Sequence, residues 1–284
     1  MHANRLKFKK SILAILCLPS FAFAQVVSTP VIAVAGQNIT IPTGNSIQIR
    51  FGNAISANGG GVVAGTDVEA GTSANAVAVN ASGMGSLITL DGMTLLNGAQ
   101  GGAWMDNGGL VKLGGNTLIN IGGGNNGATG IYINGVNKPS DTFGSGITIN
   151  IDGTHSDQNA WTGVLVDGAG ASAVFDNLRI QGDSADIGVL AQSGASANLT
   201  NSNITINGHT PTNSLIIPQD GTYFNGLSGF GLGALNGGHL TVSDSHITVN
   251  SSATDSEYGI FTGGGNETIN MSDSNILIMG ASDS

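Results

Sequence analysis

The chain has 284 residues, of which 9% are charged, 40% hydrophobic and 46 glycine. Mean hydropathy is +0.17, too apolar for a solvated disordered chain, and no Gly-X-Y period is present, so disorder and collagen are both excluded. Four of the eight basic residues fall within the first ten positions; without them, four basic residues face 18 acidic ones, a net of −14, which excludes the basic footprint that nucleic-acid binding requires and disfavours anionic membrane surfaces.

Residues 1–24, MHANRLKFKKSILAILCLPSFAFA, read as a secretion signal. A basic stretch precedes the apolar run Ile12–Leu18, Pro19 breaks it, and Ala22-Phe23-Ala24 supplies small residues at the positions read by signal peptidase. Cleavage is expected between Ala24 and Gln25. The run is far short of the ~20 residues that span a bilayer. The single cysteine, Cys17, lies inside this segment. It is preceded by Leu16, which argues against lipidation. The exported chain then has no disulfide, and its stability must come from its core.

Beyond residue 25 the chain carries a two-part repeat. One part is a glycine, a short apolar strand and a small-residue turn: GIYINGV (130–136), GVLVDGAG (163–170), GVLAQSGA (188–195), GLGALNGG (231–238) and GIFTGGG (259–265). The other is two short strands about an Asn/Asp/Ser/Gly turn: LITLDGMTLLNG (87–98), AVFDNLRIQG (173–182), ANLTNSNITING (197–208), LTVSDSHITVN (240–250) and TINMSDSNILIMG (268–280). The leading glycines are spaced by 33, 25, 43 and 28 residues. The longer spacings contain insertions at 137–145 and 209–228.

Each unit fits three short strands with a period of two, and sustained helical periodicity is lacking. A unit of about 25 residues cannot bury its own apolar face, but stacked units can, as ladders of Val, Ile and Leu. The fold expected is all-β: a single parallel β-helix of three-strand coils, right-handed by the general crossover preference. About 25–30 residues per coil predicts nine or ten coils and a rod about 45 Å long. An antiparallel sandwich or barrel is the competing fold. Like-on-like stacking also accounts for the low charge, since charges in one column repel where Asn, Ser and Thr can bond. The turn positions favour residues that accept left-handed angles, which also explains the Asn-x-Ser/Thr triplets at Asn198 and Asn203.

The tandem units, clearest in ANLTNSNITING and HLTVSDSHITVN (239–250), resemble autotransporter passenger domains of Gram-negative bacteria, with a pectin-lyase-like β-helix. The resemblance covers about residues 80–280, and 25–80 more weakly. It implies a passenger carried to the cell surface by an outer-membrane translocator β-barrel. No barrel-like region follows ILIMGASDS (276–284). The expected organisation is therefore a signal peptide (1–24), N-terminal capping and first coils (25–80), and a passenger (81–284) truncated at its C-terminal end, or else a short secreted relative.

The same fold hosts polysaccharide lyases and hydrolases, so carbohydrate chemistry is the alternative. Asp176, Arg179, Asp183 and Asp186 form the densest cluster, with Asp176 and Arg179 spaced to pair across a turn. His239 and His246 have no base partner in sequence reach; they are expected at a strand start and in a turn. His155 beside Asp152 and Asp157 is a thin metal candidate. The glycine-rich stretches 101–109 and 122–130 match neither phosphate-loop nor calcium-repeat patterns. No catalytic residue, metal site or cofactor is assigned.

Loops on a rigid repeat scaffold are the usual seat of binding. The insertion 209–228 carries Ile216, Ile217, Tyr223 and Phe224 in an aromatic-poor chain. Exposed, these would form a contact patch for a host glycan, matrix or cell-surface ligand; folded back, they would cover one side of the rod. Trp104 and Trp161 face the same choice, with burial expected. Removing 209–228 is expected to lower binding and leave the fold intact. The function expected is surface display with an adhesive or structural role.

Overall fold

The structure is a computed structural model that describes residues 25–73, 75–122, 127–135, 144–152, 159–207, 214–225, 227–251 and 257–280. The signal segment with Ala24, most of the 137–145 insertion, residues 209–213, and the pair His155 and Asp157 lie outside the described residues.

The described residues form no helix and wind into a parallel β-solenoid with three faces. The first face has ten strands, from Gln25–Val27 to Asn275–Gly280. The second has nine, from Val31–Ala33 to Glu257–Gly263. The third is split into a group of four, ending at Leu110–Leu113, and a group of five, opening at Gly144–Ser145. Nine steps of ~4.8 Å make the first face about 43 Å tall. The strands within residues 25–80 already belong to the same three faces.

The second half of each repeat is the corner between the third and first faces. In ANLTNSNITING the strands are Ser196–Thr200 and Asn203–Ile206. The corner residue is left-handed in coil after coil: Asp67, Gly92, Asn116, Gly146, Asn177, Asn201, Asp244 and Asp273 all have φ between 49 and 74°. Only Gly, Asn and Asp adopt this conformation cheaply. The serine that follows has a separate task. Ser202, Ser245 and Ser274 each donate a hydroxyl hydrogen bond to the carbonyl two residues back, at 2.9, 2.7 and 2.7 Å. The same oxygens accept from the coil before: Leu178 N–H bonds Ser202 Oγ, Ser202 N–H bonds Ser245 Oγ, and Ser245 N–H bonds Ser274 Oγ. The corner thus stitches successive coils through one hydroxyl column.

The leading glycines have a different cause. Gly130, Gly163, Gly188, Gly231 and Gly259 lie inside second-face strands, in one column, and none has positive φ. A Cβ on Gly188 would sit 2.5 Å from Ile204 Cγ2 and 2.3 Å from Gly231 O. The equivalent atom on Gly130, Gly231 or Gly259 would meet Cγ2 of Ile149, Ile247 or Ile276 at 2.4–2.6 Å. Those isoleucines form a first-face column, Ile119, Ile149, Ile180, Ile204, Ile247 and Ile276. The next residue, such as Ile131 or Val189, also belongs to the core. Two consecutive residues therefore face inwards where the coil bends, and only a hydrogen fits at the first. Glycine here yields volume to isoleucine.

The outward side of the first face carries the expected polar ladder. Asn120 Nδ2 donates to Asn97 Oδ1 at 2.9 Å, Asn150 to Asn120 at 3.0 Å, and Gln181 to Asn150 at 2.8 Å. Glu69 ends the run by accepting from Ser46 and Asn97.

Substituting Gly188 by Ala is expected to lower unfolding free energy in urea by about 1–3 kcal/mol through overpacking. Ile204→Ala should then cost less in the Gly188→Ala background than in the unaltered chain, a positive coupling readable in a double-mutant cycle.

Candidate functional site

The outward side of the second face is where the solenoid departs from a plain polar surface. Trp104, Tyr132, Leu165 and Leu190 stand in one outward column on four successive coils. Such a stripe of apolar area needs a cover. The 209–228 insertion supplies it.

Strands Ser214–Ile216 and Tyr223–Asn225 form an antiparallel hairpin, the only antiparallel pair among the described residues. It is tied to the solenoid where Ala160 N–H donates to Ile216 O at 2.7 Å. Leu215, Ile217, Phe224 and Leu227 are buried with Leu165, Ile187, Leu190 and Phe230 in a second apolar cluster, separate from the central core. Phe224 meets Phe230 and Phe261 edge-on at 5.5 and 5.6 Å. Each such buried side chain contributes about 1.5–3 kcal/mol. Ile217 and Phe224 thus fold back onto the rod, while Ile216 is half-buried and Tyr223 is 55% exposed. Of the four residues singled out in the insertion, Tyr223 alone is largely exposed, with its hydroxyl donating to Ser214 Oγ across the hairpin at 3.1 Å. Excising 209–228 would uncover the stripe, while the central core is a separate cluster. Trp161 is in the central core; Trp104 is half-buried at the end of the stripe, edge-on to Tyr132 at 5.5 Å.

An acidic rim borders this cluster. Asp106, Asn134, Asp167 and Gln192 occupy one column on successive coils. The hairpin turn adds Asp220, which accepts from Gln192 Nε2 and from Thr222 N–H and Oγ1. Burial pushes the Asp106 carboxyl up, partly offset by a hydrogen bond from Asn80. Tyr132 is raised by burial first, then by the charges of Asp167, Asp106 and Asp220. Three carboxylates therefore act on one tyrosine. Asp167 Oδ1, Gln192 Oε1 and Trp104 Nε1 are buried with no hydrogen-bond partner among the described residues.

The other candidates are dispersed. Asp176 accepts from Asn201 Nδ2 at 2.9 Å and does not pair with Arg179, which lies exposed on the next face. Asp183 is exposed. Asp186 is fully buried and accepts the Trp161 N–H at 2.8 Å. His239 Nδ1 bonds Thr268 Oγ1 and His246 Nδ1 bonds Asn275 Oδ1, each on the following coil. His246 opens the strand His246–Ser251 rather than sitting in a turn. Among the described residues no three His, Cys, Asp or Glu side chains are grouped to hold a metal. Two shallow adjoining hollows of about 320 and 230 Å³ lie along the first face, lined by Gln48, Arg50, Thr72, Asn97, Asn120 and Asp152 among others. Asp152 thus borders a hollow.

Comparison of the chain with protein-family models, with curated proteins and with solved structures finds no match.

Asp186 makes the folded state pH-sensitive. Burial raises its carboxyl well above the usual range, the Trp161 N–H opposes this, and the Glu257 charge adds to it. The native state therefore holds a proton that the unfolded chain releases. This contribution is complete below the ordinary carboxyl value and is lost as pH rises through the folded-state value. Asp186→Asn keeps an oxygen for the Trp161 N–H. In thermal melts followed by circular dichroism, the fall in Tm between pH 4 and pH 8 should be smaller in this variant. Asp186→Leu, which abandons that N–H, should melt lower across the whole range.

Proposed function

We propose that this protein is a passenger-type β-solenoid, exported through a signal peptide cleaved between Ala24 and Gln25 and displayed at the bacterial surface in an adhesive or structural role. The observation that carries the reading is the hairpin of residues 214–225, grafted onto one face of a rigid coil stack and held there by its own apolar cluster. A stack of self-similar coils extends reach without needing a large single core. An inserted segment that leaves Tyr223 exposed beside an acidic rim offers side-on contacts to a glycan, a matrix component or a neighbouring cell surface. Transport by an outer-membrane β-barrel translocator, in cis or in trans, belongs to the same reading.

Carbohydrate-active chemistry on this fold would need carboxylates converging from successive coils. On the second face each aligned acidic pair has a neutral coil between its members: Asn134 separates Asp106 from Asp167, and Gly229 separates Asp186 from Glu257. That interleaving favours display over catalysis.

Cells presenting the chain should adhere to matrix-coated or glycan-coated surfaces. Tyr223→Ser should reduce that adhesion severalfold with at most a small fall in the melting temperature, since the side chain is 55% exposed and gives up only its hydroxyl bond to Ser214. Undiminished adhesion would remove the hairpin from the contact surface. Amino-terminal sequencing of exported protein should begin at Gln25; a start at Met1 would end the export reading.

A further inference from the structure

The first face carries a trough that runs along the rod. Its floor is the column Ile49, Thr72, Gly98 and Ile121, aligned coil over coil. One residue back in each strand, the outward amides of Gln48, Asn97 and Asn120 form one side. One residue on, Ser73, Ala99 and Gly122 leave the other side low, with Arg50 at one end of that row and Asp152 at the other. The two adjoining hollows share Thr72 and Asn97, and together they reach from Arg50 to Asp152. That is four ladder steps, about 19 Å.

The lining selects the ligand. The strands beneath are paired on both sides within the first-face ladder, so a peptide has no free edge on which to add as a strand. Asn97 and Asn120 each spend one N–H and one lone pair on the amide run, which leaves each a second donor and a second acceptor. The exported chain carries a net of −14, which repels polyanions. A neutral chain of sugars offers hydroxyls that both donate and accept. Linked through opposite sides of its rings, it repeats at close to one ladder step, ~4.8 Å. An acetamido substituent adds an amide that can bond the Asn side and a methyl that can rest against Ile49 and Ile121, both of which line the hollows. Arg50 and Asp152, exposed at the two ends, supply charge-assisted hydrogen bonds to hydroxyl or carbonyl oxygens.

We propose that this trough binds a neutral, linear oligosaccharide of N-acetylhexosamines lying along the rod, with about one sugar per coil. The site is on the first face and makes no use of the hairpin, so it goes beyond the display reading.

The test uses the purified chain and defined sugars. Chitotetraose is titrated against it by calorimetry. Saturable binding in the millimolar range or tighter is expected, at least about fivefold tighter than for cellotetraose, which has the same linkage and no acetamido groups, and at least about tenfold tighter than for chitobiose, which spans half the trough. Added salt should change it little, since the ligand is uncharged. Asp152→Ala and Ser73→Leu alter exposed side chains, and each should weaken binding severalfold while melting like the unaltered chain; the leucine fills the low side of the trough. Equal affinity for chitotetraose and cellotetraose, tighter binding of a hyaluronan tetrasaccharide, or no saturable binding up to about 10 mM overturns the proposal. Undiminished affinity in both variants overturns it as well, because the trough would then not be the seat of binding. The sugar comparisons are made on the unaltered chain, so they stand even where a variant misfolds. They need no cell-surface display, so failure of the export reading leaves them decisive.

Discussion

Every part of this molecule depends on parallel strands stacking like on like. Each side chain lies over its counterpart one coil away, about 4.8 Å distant, so a residue type survives in a column only if it tolerates its own kind or something smaller. Isoleucine does so in the column from Ile119 to Ile276, and glycine does so beside it, from Gly130 to Gly259. The two columns are one packing solution: branched side chains of the first face fill volume that the second face leaves open at its bend. Amides tolerate themselves better than any other polar group, since each donates to one neighbour and accepts from the other. The run from Asn97 to Gln181 shows this directly.

Charge is the property that a column away from solvent repeats least readily. At one ladder spacing two carboxylates would repel strongly, and burial would sharpen the repulsion. At the solvent-exposed corner Asp244 and Asp273 do follow one another on successive coils, but where acids enter the columns of the second face they are diluted. Asn134 stands between Asp106 and Asp167, and Gly229 between Asp186 and Glu257. Dilution is incomplete, because Tyr132 still senses Asp167, Asp106 and Asp220 together, and Asp186 still senses Glu257. The scarcity of charged residues and the perturbed ionisation of the few that are buried have the same origin.

The coil and its corner were legible in the sequence because they are local. ANLTNSNITING contains the left-handed Asn201 and the hydroxyl of Ser202 within a few residues. The leading glycines were legible as a period but not as a cause. They resemble turn glycines, and their role depends on Ile149, Ile180, Ile204 and Ile247, which sit on another strand. The candidate site was legible only in part. The insertion stood out by its aromatic content, yet which of its residues face solvent depended on a stripe built from Trp104, Tyr132, Leu165 and Leu190. Each of these reads as an ordinary strand residue, and only the coil register aligns them. The acidic rim was invisible for the same reason, being assembled from four coils and a hairpin turn.

That register also explains why the hairpin is where it is. A solenoid face exposed to water has no need of outward apolar residues, and the first face, with its amide run, has few. The second face accumulates them on consecutive coils both before the insertion, from Trp104 to Leu190, and after it, at Phe230 and Phe261. The hairpin bridges the two sets, reaching back to Ala160 and Leu165 and forward to Phe230 and Phe261. The stripe and its strap form one unit, with its own aromatic packing among Phe224, Phe230 and Phe261, distinct from the central core. A repeat scaffold has thereby acquired a local, non-repeating feature without breaking the ladder, since the strands on either side, Asn203–Ile206 and Gly229–Leu235, keep their register with the coils beneath them. Such a feature can vary in sequence while the stack stays constant, which is the physical condition for a scaffold whose contacts lie in its insertions.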